Sequence, residues 1–201
     1  TVRLYRNNIL FQTSVWQAPI NFTKQIVASA DDGRRGPGVI FQPAGVAIIV
    51  GSEDPTGENI HSWVRFTDVT IPQGAVITSA FLSGYIWQND PTSGVTTLIY
   101  GNAADNATAP TTGALFDALT LTTASVAWAA NFHLLPANTL ITSPDIRTVI
   151  QEIINRPGWV SGNALQLVWR NNGSPVGAVV MPWAWDGNVA LSCSLAITVA
   201  A

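Results

Sequence analysis

From Lys24 to Val199 the chain is cut into short apolar runs of strand length, each closed by a turn rich in Gly, Pro, Asn or Asp. Runs of this kind bury themselves as strands. Ser62 to Val69 alternates cleanly, with Val64 and Phe66 on one face and Arg65 and Thr67 on the other. Val76 to Gln88 puts Phe81, Tyr85 and Trp87 on one face and Leu82 and Ile86 on the other, the two-sided pattern of a central strand. Ala164 to Arg170 and Val176 to Met181 flank Asn172-Gly173, a step that favours a tight hairpin turn. Residues 101–123, rich in Ala, Thr, Asn and Pro, read as loop.

One stretch follows a different period. In Ser143 to Asn155, Ile146, Val149, Ile150, Ile153 and Ile154 form a single helical stripe. Ser143 is the expected N-cap and Pro144 the first helical residue, and Pro157-Gly158 ends the helix. The expected fold is therefore all-β: a jelly-roll-like β-sandwich with one short amphipathic helix at about 143–155 and an extended N-terminal arm. The arm is placed at residues 1–24 and the sandwich at 25–201.

Charge narrows the function. Asp, Glu, Lys and Arg make up 10% of the chain, which has one lysine, Lys24, and a net charge of −3. Ordinary soluble domains carry about 25%. Either other subunits cover much of the surface, or the chain is a Thr/Asn-rich extracellular domain. Beyond Arg34-Arg35 there is no basic cluster, so neither nucleic acid nor an anionic membrane is an expected partner. No apolar run is long enough to span a bilayer, and the opening Thr1-Val-Arg-Leu-Tyr-Arg6 does not read as a signal peptide.

Catalytic chemistry is not expected. The chain has no G-x-S-x-G, no P-loop, no H-E-x-x-H and no Cys or His cluster. His61 and His133 each lack a sequence neighbour to work with, and Cys193 reads as a buried apolar thiol. No cofactor is expected. A structural calcium ion would draw its oxygens from the loops at Asp31, Asp32 or Asp186.

The contact candidates are apolar and aromatic. In the arm, Leu4, Tyr5, Ile9, Leu10, Phe11, Val15, Trp16 and Phe22 either pack on their own domain or grip a neighbouring subunit. Trp183-Ala-Trp185 puts two indoles on one side of an extended segment, followed by Asp186. That is a sugar-stacking platform or a core or interface element. Trp87, beside Asn89 and Asp90, is a second stacking candidate, and Trp159 suits the helix–sheet junction.

Three stretches carry a family resemblance: Trp63 to Ala80, Thr123 to Trp128, and Thr142 to Ala164. Together they resemble a β-sandwich module of bacterial secreted or surface proteins and phage virion proteins, akin to jelly-roll carbohydrate-binding-like domains. The resemblance spans about residues 60 to 199 and implies a non-catalytic accessory or structural role, with no catalytic residue carried over. The arm and the apolar segment from Gly38 to Gly51 depart from the pattern and favour a virion part, such as a capsid decoration or tail or fibre protein. Other virion subunits would be the partners of a homo-oligomer, a trimer for preference, located in the virion. The alternative is a carbohydrate-binding or adhesion module at a cell surface, with a cell-surface glycan as partner.

Overall fold

The computed structural model describes residues 4–6, 9–11 and 19–201, except 89–91, 93, 131 and 133. The chain runs β1 (Leu4–Arg6), β2 (Ile9–Phe11), β3 (Ile20–Gln25), β4 (Asp32–Arg35), β5 (Phe41–Gln42), β6 (Val50–Ser52), β7 (Asn59–Phe66), β8 (Ile77–Tyr85) and β9 (Val95–Asn102). It continues through α1 (Gly113–Asp117), β10 (Leu121–Ala130), β11 (Leu140–Thr142), α2 (Arg147–Ile154), β12 (Leu165–Asn171), β13 (Val179–Val180) and β14 (Ser194–Val199).

Two antiparallel sheets make a sandwich, as the alternating runs require. The larger orders β10-β9-β12-β7-β4-β5, with β6 also on β7 and β13 on β6; the smaller orders β11-β8-β14-β3. The chain passes repeatedly from one sheet to the other. Val64 and Phe66 of β7 and Leu165, Leu167 and Trp169 of β12 face the smaller sheet's Ala80, Leu82, Leu195 and Ile197 in the main core. β8 is central, between β11 and β14, with Leu82 and Ile86 inward and Phe81 and Tyr85 half-buried.

The larger sheet is also covered on its outer face. Trp63 and Val168, opposite one another across β7 and β12, point away from the main core. Phe116 of α1 covers them, in the segment expected to be loop. Trp63 stacks on Phe41 at 5.1 Å and meets Phe116 at 5.6 Å. A side chain on Gly33 would overlap the Trp63 indole, so β4 carries glycine where it passes that ring. Two-sided cover explains why β12 is an unbroken buried run from Leu165 to Trp169.

The helix starts later than its sequence suggests. Ser143 does not cap it; its hydroxyl accepts the Leu82 amide, while Asp145 accepts the amides of Ala80 and Arg147. Both side chains serve the open edge of β8, and α2 begins at Arg147. Gln151 continues the task by accepting the Ile77 amide. The apolar stripe is buried as expected, and Trp159 donates to the Ile71 carbonyl at the helix–sheet junction.

Two further expectations change. β12 and β13 do not form a hairpin; β13 pairs with β6 instead. Gly173 does take the positive φ that the turn needs, at 81°. However, Ser174 and Asn172 are held by Thr96 of β9, which carries the chain past β12. Ile20–Gln25, placed in the arm by sequence, pairs along its length with β14, and Phe22 packs against the core. β1 and β2 pair only with each other. The side chains of Leu4, Tyr5, Ile9, Leu10 and Phe11, and all of Val15 and Trp16, lie outside the described residues.

The outer cluster behaves as a second core. Phe116→Ala should lower stability by about 3–5 kcal/mol, measured by urea unfolding. A loss under about 1 kcal/mol would mean that α1 is only a loosely attached loop.

Candidate ligand groove

The site is built where a ribbon joins the two sheets. Beyond β13 the chain stays extended through Ala184, alongside the segment leading into β6. Ile48 donates to the Pro182 carbonyl, Ala184 donates to the Val46 carbonyl, and Ala47 bridges Trp183. On its other side the same ribbon meets the end of β8. Trp87 donates to the Met181 carbonyl at 2.8 Å, and Trp183 donates to the Tyr85 carbonyl at 2.8 Å. Pro182 sits between them, bridging Ile86; its missing N–H suits this irregular position.

The ribbon brings Trp87 and Trp183 together, their ring centroids 6.2 Å apart at 60°. The Trp183 indole N–H donates to Asn138 Oδ1 at 2.9 Å, which fixes the ring. Trp185, expected beside Trp183, goes elsewhere. The chain turns after Ala184, and Trp185 packs against the main core with its amide on Asp32 Oδ2 at 2.8 Å. The aromatic pair therefore joins residues nearly a hundred positions apart, which local spacing could not reveal. Asp186 is exposed and accepts from the Ser29 hydroxyl. Asn89 and Asp90 lie outside the described residues.

Trp87 forms one wall of a groove of about 110 Å³. Arg34, Gln42, Gly45, Val46, Ala47 and Ile49 line the rest. Arg34 projects from β4 and donates through Nε to Gln42 Oε1 at 2.7 Å. Burial holds its pKa below the usual guanidinium value, and the Glu53 carboxylate partly opposes that shift. Arg34 also lines a smaller depression with Gly36, Pro37, Ile40, Glu53 and Ile60. Its neighbour Arg35 points the other way, donating to Asp117 and to the carbonyls of Gly36, Gly38 and Ile40. That clamp holds the 36–40 loop beside the groove, with Val39 at its fully exposed tip.

The candidate calcium residues do not converge. Asp31 pairs with Arg65, Asp32 is buried, and among the described residues no three His, Cys, Asp or Glu side chains group to hold a metal. Of the two histidines, His61 accepts the Asn171 amide through Nδ1, and burial lowers its pKa to about 4. His133 lies outside the described residues. Cys193 is buried against Gly84, and burial raises its thiol pKa. No family model matches the chain, and no curated protein matches it.

Asp32 carries the one large pH effect near neutrality. Burial raises its pKa to about 7, with the Asp186 and Asp31 charges adding and the Trp185 amide opposing. Its Oδ1 has no partner. The native chain thus keeps a proton that the unfolded chain releases. Stability from this residue is full below about pH 4 and falls as the pH rises towards 7. Asp32→Asn should remove that loss. Relative to wild type it should gain roughly 4 kcal/mol at most between pH 4 and pH 8, read from urea unfolding across that range. Parallel curves for the two proteins would refute the assignment.

Proposed function

We propose that this chain is a non-enzymatic structural subunit that works by contact with other copies and other proteins of a particle. A phage virion component, either a capsid decoration or a tail or fibre protein, is the setting that best suits it. The observation that carries this reading is the free edge of β10. That strand runs for ten residues, pairs only with β9, and contains neither a charge nor a proline. Soluble monomers blunt such edges with charge, proline or cover. Here Glu152 caps only the Thr123 and Ala124 amides, leaving Ser125 to Ala130 without a strand beyond them.

Two further features support the reading. The β1–β2 hairpin pairs with neither large sheet, and hairpins of this size are marginal on their own. Large apolar side chains such as Val39, Leu134, Leu140, Val76 and Val160 stand more than half exposed. With so few charges, such a surface is better matched to protein contacts than to water.

A second reading is favoured by the Trp87–Trp183 pair: a carbohydrate-binding or adhesive module, at the virion or a cell surface. Half-exposed indoles beside a groove present the flat apolar face that sugar rings stack on. Glycan-array binding that disappears in Trp87→Ala would support it.

The assembly reading has a direct test. Native mass measurement of the full chain should give a homo-oligomer. Ala127 is exposed on β10, so Ala127→Lys should shift the mass towards monomer without changing the melting temperature. Deletion of residues 1–18, which spares β3, should leave a folded sandwich that assembles less well. A wild-type chain that stays monomeric at high concentration would overturn the proposal.

A further inference from the structure

The glycan reading can be taken one step further, to the charge of the sugar. Arg34 is half-buried at the groove, and its guanidinium is only partly used. Nε is committed to Gln42, while no described residue accepts from Nη1 or Nη2. No described carboxylate forms an ion pair with Arg34; Glu53 acts on it only from beyond salt-bridge distance. By contrast, Arg35, Arg65, Arg147 and Arg156 each hold an Asp. A guanidinium drawn out of water without a counter-charge is costly, and that cost falls when an anion arrives.

The shape of the site selects the anion. With Nε occupied, the free end of Arg34 presents two parallel N–H donors, the fork that fits a planar carboxylate. Trp87 supplies an apolar face on the wall of the same groove, and Trp183, fixed through Asn138, backs it. A groove of about 110 Å³ holds a carboxylate and one edge of a sugar ring rather than a whole oligosaccharide. We propose that this groove binds the carboxylate of an acidic sugar, with Arg34 taking the charge and Trp87 the ring. The proposal rests on the glycan reading above and adds that the ligand is a uronic-acid type of saccharide.

The test uses the full chain and a matched pair of probes: trigalacturonate and its fully methyl-esterified counterpart, titrated by calorimetry at low and physiological salt. The acid should bind and the ester should bind at least about tenfold more weakly. Arg34→Gln should lose at least about tenfold for the acid and leave the ester unchanged. Glu53→Gln, which removes the nearby opposing charge, should tighten the acid alone. Trp87→Ala should weaken both by about fivefold. Equal binding of acid and ester, insensitive to Arg34→Gln, would keep the glycan reading and overturn the acidic-sugar assignment. No binding of either probe would remove both readings. Should Arg34→Gln unfold the chain, Glu53→Gln decides: no gain for the acid overturns the assignment.

Discussion

The ribbon from Val179 to Ala184 is the constraint on which the architecture turns. It pairs in continuous register with the chain from Val46 to Gly51 on one side and with the end of β8 on the other. One side of the sandwich is therefore hydrogen-bonded across, and the two sheets cannot slide or splay there. Without this seam, the upper part of the β6 segment and the end of β8 would be two exposed edges. With it, Ile48, Val50, Ile86, Val180 and Ala184 are buried together. The same seam sets Trp87 beside Trp183 and Val46 at the groove, so the candidate site is a consequence of how the sandwich closes.

The sparse charges are placed with economy. Asp31 and Arg65, Asp117 and Arg35, and Asp105 and Arg156 each tie together segments far apart in sequence. Carboxylates and amides of α2 and its approach do the same for strand edges: Asp145 and Gln151 along β8, Glu152 on β10. Side chains thus replace strands where the sheets run out. The buried Asp32 does not fit this pattern, since one of its oxygens holds the Trp185 amide while the other meets nothing.

The alternation at Val64, Phe66, Leu82 and Ile86 made the sandwich legible, because a period of two survives whatever the strand pairs with. The stripe from Ile146 to Ile154 was legible for the same reason at the helical period. Neither signal names a partner. The helix start at Ser143 was misplaced because the Leu82 amide outbid the helix for its hydroxyl. The Asn172-Gly173 turn was recognised but its consequence was not, since pairing with β6 lies more than a hundred residues away. Likewise β3 resembles the arm in composition and joins the sheet only through β14, at the far end of the chain. Of the site, Trp87 and Trp183 were identified singly. Their pairing and the part played by Arg34 are properties of the seam, which no local pattern encodes.

The two surfaces argued to make contacts lie at opposite ends of the larger sheet. β10 forms one edge, while Arg34 and Gln42 stand on β4 and β5 at the other. The whole width of β9, β12 and β7 separates them. Strand addition at β10 would extend the sheet in the direction away from the groove, leaving Trp87 and Arg34 open to solvent. Assembly and ligand binding are then compatible in one subunit, and an oligomer joined through β10 would display several copies of the groove on its rim. Weak binding at each small groove would be strengthened by that multiplicity. This is how a site that holds only one edge of a sugar could still serve an adhesive particle.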